Sequence, residues 1–142
     1  MKFLRSSCLG VRNNNFGNIR FSKLTKWQGQ TCENHGFCVL KSYEYGIRAL
    51  YILLRTYIEK HKLTDVCDII DRYAPLSEND TLSYIRFVGE RVSFPVVSSE
   101  GLSVVQLMCA IMLYESMVVI EPKEVLDILH SFGLCCPKKV KM

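Results

Sequence analysis

The seven cysteines form no C-x-x-C pair and no zinc-ribbon spacing, which sets aside the common structural zinc frameworks. No glycine-rich phosphate loop is present, so nothing points to nucleotide chemistry of that type. The three histidines (His35, His61 and His130) are scattered, and they give no basis for a metal site or a nucleophilic triad. There is no internal repeat, low-complexity tract or Pro/Ser linker. The 142 residues therefore read as a single domain, 1–142, with 1–9 and 137–142 as flexible ends. The start, Met1 to Cys8, lacks the apolar run of a secretory signal. The most apolar stretch, Leu102 to Ile120, is interrupted by Gln106 and Glu115, both costly at bilayer depth, so no membrane insertion is expected. A chain made in the cytoplasm with mostly reduced thiols fits these absences, although Cys32 and Cys38 flank a turn and could be bridged.

What is present is globular. Apolar residues make up 49% and charged residues 23%, far from disordered composition. The net charge of +4 suits an anionic surface such as cell wall or nucleic acid without selecting one. A small basic nucleic-acid module would bind in a salt-sensitive way. No basic-aromatic motif supports that reading, and no nucleic-acid partner is expected.

Periodicity gives an α+β, mainly α domain of five helices and one hairpin. Residues 10–42 read as loop and short strands, with Glu33-Asn34-His35-Gly36 as a turn between Trp27–Gln30 and Phe37–Leu40. From Tyr43 the apolar period becomes helical through Ile47, Leu50, Tyr51, Leu54, Tyr57 and Ile58. Thr64 is placed to cap a helix that Pro75 ends. Ser77 or Asn79 is placed to cap the next, with Leu82, Ile85 and Val88 facing inward. Ser103 and Gln106 form a capping-box signature for the apolar helix from Val104 to about Met117. Glu121-Pro122 opens the last helix and Gly133 stops it.

Glu115 is the chemically informative residue. It is the sole charged side chain between Glu100 and Glu121, on a helix apolar around most of its circumference, which is the pattern of a core helix. Desolvation disfavours the carboxylate and raises its pKa, as a general acid near neutral pH requires. In glycoside cleavage such an acid protonates the leaving oxygen. The structural alternative is a glutamate facing solvent at the helix end, or one paired with Arg20 or Arg48.

Four segments carry a family resemblance. Gly10-Val11-Arg12-Asn13-Asn14-Asn15-Phe16-Gly17-Asn18-Ile19-Arg20, followed by Trp27-Gln28-Gly29, resembles R-G-I-R-N-N-N-P-G-N-I-R and then W-x-G of a phage virion-associated lysozyme-like family of muramidases and peptidoglycan transglycosylases. Phe37 with Tyr45-Gly46-Ile47-Arg48-Ala49-Leu50 and Tyr57, and Ile69-Ile70-Asp71-Arg72-Tyr73-Ala74-Pro75 with Glu78-Asn79-Asp80-Thr81 and Tyr84, resemble its central blocks. Ala110-Ile111-Met112-Leu113-Tyr114-Glu115 stands where the family has A-I-x-x-x-E-N-G. Flagellar-type glucosaminidases carry a similar glutamate segment upstream of the Asn-rich loop. Here it comes last, which suggests a circularly permuted lysozyme-like domain, since domain termini often lie close together. Phe16 replaces the family's proline, Tyr73 its tryptophan, and Ser116-Met117 its Asn-Gly. The last exchange puts a side chain where a positive φ would favour glycine.

The resemblance implies cleavage of peptidoglycan glycan strands with Glu115 as acid and Tyr73 beside it. Asn13, Asn14, Asn15, Asn18, Trp27, Glu78 and Asn79 are its candidate substrate-binding residues, and Glu33 is the one candidate for a second carboxylate. Each has a bland alternative: Tyr73 as core, the asparagines as turn formers, Trp27 as hairpin anchor, Glu78-Asn79 as a helix cap. The rival functional reading is a virion structural or wall-binding protein that keeps the groove without turnover. No metal and no organic cofactor is implied. The partner would be peptidoglycan in the periplasm or at the cell wall, reached by virion delivery, holin-type release or a secretion system.

Overall fold

The computed structural model describes residues 1–75 and 80–135, so Ser77, Glu78 and Asn79 lie outside the described residues. The protein is an α+β domain, mainly α. Its elements run β1 (Lys2–Phe3), α1 (Leu9–Arg12), β2 (Gln30–Asn34), β3 (Phe37–Leu40), α2 (Tyr43–Glu59), α3 (Val66–Tyr73), α4 (Thr81–Gly89), α5 (Leu102–Ser116), β4 (Val118–Val119) and α6 (Pro122–Ser131).

α5 is the central element. Val104, Val105, Leu107, Met108, Ala110, Ile111 and Met112 are all buried, so apolar residues on every side of the helix meet protein. α2 supplies the second core wall with Ile47, Leu50, Tyr51, Leu54 and Ile58, the positions that periodicity selects. Gly46 lets α2 approach the Asn-rich loop, because a Cβ there would lie 2.0 Å from the Asn14 carbonyl oxygen. β2 and β3 form the expected hairpin, with Asn34 opposite Phe37. His35 and Gly36 both have positive φ (53° and 85°), as a two-residue turn matching the strand twist demands. Cys32 and Cys38 remain free thiols.

Several local expectations give way to other solutions. Residues 1–9 are not simply a free end: β1 pairs antiparallel with β4, Lys2 opposite Val119 and Phe3 opposite Val118. A short helix, α1, precedes the Asn-rich loop, bringing the helices to six among the described residues. Asp65 rather than Thr64 caps α3, accepting from Cys67 N at 2.8 Å. Asp80 caps α4, accepting from Ser83 N at 3.2 Å. Ser103 and Gln106 form no capping box. Ser103 Oγ accepts from Ser98 N at 2.9 Å and Gln106 Oε1 from Ser93 N at 3.0 Å, so both satisfy the preceding loop, and Gly101 opens α5 without a side-chain cap. Leu82 faces outward at 75% exposure, while Tyr84 and Val88 are fully buried; α4 is thus rotated from the face expected.

The end of α5 carries a residue in a strained conformation. Met117 adopts φ 53°, ψ 39°, the left-handed conformation that costs a non-glycine residue roughly 1 kcal/mol. The chain accepts that strain to turn from α5 into β4.

Candidate functional site

The site is built where the loop after α1 meets the C-terminal end of α5. Asn15 is fully buried and organises the loop. Its Nδ2 donates to Ile19 O (3.0 Å) and Cys38 O (2.9 Å), and its Oδ1 accepts from Ile19 N (2.9 Å). Phe16 is buried and stacks on Tyr43 at 5.8 Å between ring centroids. Ser116, also buried, donates its hydroxyl to Phe16 O at 2.7 Å. Gly10 permits this junction, because a Cβ there would lie 1.9 Å from Ser116 Oγ. The loop is thereby fastened to the residue next to Glu115.

From that frame Asn18, at φ 50°, reaches across the chain. Its Nδ2 donates to Glu115 O at 3.1 Å and to Glu115 Oε1 at 3.2 Å, fixing both backbone and carboxyl. Glu115 lines a cleft of about 340 Å³ together with Asn18, Arg20, Trp27, Tyr57, Arg72 and Tyr73. That volume lies at the small end of ordinary ligand pockets, and the lining mixes aromatic faces with polar groups, as such pockets do.

Burial raises the Glu115 carboxyl above the ordinary carboxylate range. The nearby Tyr84 hydroxyl, the hydrogen bond from Asn18 and the field of Arg20 pull the other way without cancelling it. Arg48, the other cation considered as a partner, lies over the Phe132 ring at 5.9 Å. Tyr84 projects from α4 with its hydroxyl buried. The group has no partner at full hydrogen-bond geometry, yet it lies near enough for the two groups to shift each other's pKa. Tyr84 also stacks on Tyr114, 3.8 Å between centroids. Tyr73 is held differently from the expected contact with Glu115: its hydroxyl donates to the Gly17 carbonyl. Burial first, then the proximity of Glu115 and Tyr57, keep that phenol neutral, far above its usual pKa. Arg72 lies over Tyr57 at 5.1 Å and beside His61 Nε2 at 3.4 Å, which positions a cation at the cleft wall.

The structure therefore brings together Glu115, Tyr73, Asn18 and Trp27 from the sequence-derived site. It separates out the rest. Asn13 accepts from Asn34 Nδ2 (3.1 Å) and Asn14 donates to Leu40 O (3.1 Å). With Asn15 they tie the loop to the hairpin, and none lines the cleft. Glu33 is exposed and accepts from Gly36 N at 2.9 Å within its own turn, so it is not the second carboxylate. Glu78 and Asn79 fall outside the described residues. Among the described lining residues, Glu115 is the one carboxylate. Tyr84, which the sequence reading does not single out as a site residue, is buried on α4 and packs against Tyr114 of α5, beside Glu115. Among the described residues no group of three His, Cys, Asp or Glu side chains is placed to hold a metal ion.

Among known proteins the chain is similar to Protein P5 of Pseudoalteromonas phage PM2, with 36% identity over 96 residues. The match takes in 65% of this chain and 60% of that protein, so the chain spans about three fifths of its relative's length. The similarity associates the chain with a bacteriophage protein. No protein-family model matches it.

Proposed function

We propose that this domain cleaves the glycan strands of peptidoglycan, with Glu115 as general acid. The observation that carries the reading is a single half-buried carboxyl, held above its ordinary pKa and oriented by Asn18, opening on a cleft lined by aromatic and cationic side chains. A protonated carboxyl of this kind can deliver its proton to a glycosidic oxygen as the sugar develops oxocarbenium character. Trp27 offers a ring face for a sugar, while Tyr73, Arg72 and Arg20 offer polar contacts to its substituents. The family resemblance supplies the substrate class, and the phage relative is compatible with it. The packing of Ser116 and Glu115 onto the Asn-rich loop supports a circularly permuted lysozyme-like arrangement, in which the acid's helix follows in sequence what it accompanies in space.

Glu115 is the one carboxylate among the described lining residues, and a lytic transglycosylase needs no second. There the acid protonates the leaving oxygen, and the Glu115 carboxylate so formed takes the proton of the sugar's own hydroxyl as that oxygen attacks the anomeric carbon, whereas both hydrolase layouts need a second carboxylate. Mass spectrometry of purified peptidoglycan digested by the protein is expected to show anhydro-sugar ends. Reducing ends alone would assign hydrolysis. Neither product, with retained binding to walls, would mark a groove kept for attachment without turnover.

A further inference from the structure

We infer that the turn Ser22–Thr25 is a membrane-surface anchor, which seats Leu24 and Phe21 in the acyl boundary of an anionic bilayer while Lys23 and Lys26 meet the lipid phosphates. Leu24 is 96% exposed and Phe21 38%. Single exposed apolar residues are ordinary, but this leucine is at the tip of a turn whose backbone is fixed. Ser22 and Thr25 form a bridge, Leu24 N donates to Ser22 Oγ at 3.1 Å, and Phe21 N donates to Gly36 O at 2.8 Å. The leucine is held outward by structure, with Lys23 and Lys26 exposed on either side.

The side-chain charge of the N-terminal segment is of one sign. Residues 1–32 hold six of the 18 Lys and Arg residues (Lys2, Arg5, Arg12, Arg20, Lys23, Lys26) and none of the 14 Asp and Glu. The first acid, Glu33, is engaged with its own turn. A basic surface alone fits any polyanion, whether nucleic acid, wall polymer or lipid. The protruding leucine, with the partly exposed Phe21, distinguishes among these, because an acyl layer gives it a favourable apolar environment and a polysaccharide or phosphate backbone does not. No helix of the described chain is long and apolar enough to cross a membrane, so the contact is peripheral. Ser22 and Thr25 also line the cleft, so docking would hold the cleft mouth at the bilayer surface. The inference stands apart from the glycan-cleavage reading.

Flotation of the intact chain with phosphatidylcholine vesicles, with and without phosphatidylglycerol, tests it. Binding is expected for the anionic vesicles and to weaken with salt. Leu24→Ser should lower the apparent affinity by roughly ten- to a hundredfold, and Lys23→Ala and Lys26→Ala by about fivefold each. Because Leu24 makes so little contact with the fold, Leu24→Ser should leave the thermal midpoint unchanged. If it does not, the lysine double variant provides the same reading. Equal binding to neutral and anionic vesicles, no binding to either, or binding indifferent to Leu24 and the two lysines would overturn the proposal. So would the same residue dependence on purified walls or DNA without any on vesicles.

Discussion

Glu115→Gln is expected to lower wall-clearing activity by roughly 10²–10⁴-fold and, at neutral pH, to raise the protein's stability. The two effects share one cause. The amide keeps the shape of the side chain and can still accept from Asn18, but it has no proton to deliver to a leaving oxygen. Burial disfavours the charged form of Glu115, and its pKa is raised in the folded protein. The folded state therefore binds this proton more tightly than the unfolded state does. Stability from that preference is fully present below the unfolded-state value, about 4.3, and is lost as pH rises through the folded-state value. Above that range wild type carries a buried charge that the glutamine variant lacks. The stability advantage of Glu115→Gln should thus be largest at neutral pH and fade in acid, as measured by denaturant unfolding across pH. A variant that loses activity and is also less stable at neutral pH would mean that Glu115 is held as a structural anion.

Asn15→Ala is expected to destabilise the fold by about 2–4 kcal/mol, since it removes three hydrogen bonds to buried backbone groups. Ile19 N and Cys38 O bond to this one amide, while Ile19 O accepts both from it and from Cys38 N, which donates at 3.0 Å. The loss should reach the site as well, because the loop that Asn15 organises carries Asn18 and contacts Ser116. Urea unfolding checks the magnitude. A change below about 1 kcal/mol would show that the loop keeps its shape without this residue, and the frame described for Glu115 would lose its basis.

These two residues also show how much the sequence discloses. The burial of Glu115 was legible because a lone carboxylate on an apolar helix has few other places to go. The helices were legible from three- and four-residue spacing, and the hairpin from its turn. The roles of Asn13, Asn14 and Asn15 were not. An asparagine amide serves a backbone carbonyl or a sugar hydroxyl equally well, and only the fold determines which it meets. Ser103 and Gln106 failed for a related reason. Their spacing suits a capping box, but the loop before α5 holds two unsatisfied amides, Ser93 N and Ser98 N, that claim both side chains. Leu82 is expected inward and lies outward, because a nine-residue helix with apolar residues on several sides does not fix its own rotation. Tyr84 came to matter only through its packing against α5.

The most direct test of the central claim is the pH dependence of glycan cleavage by wild type beside Tyr84→Phe. The acid must be protonated to act, so cleavage should fall as pH rises through the raised pKa of Glu115. Removing the Tyr84 hydroxyl withdraws a group that favours the carboxylate, so the alkaline limb should move to higher pH. A limb that stays in place, or an absence of cleavage at every pH, would contradict the assignment of Glu115 as the acid.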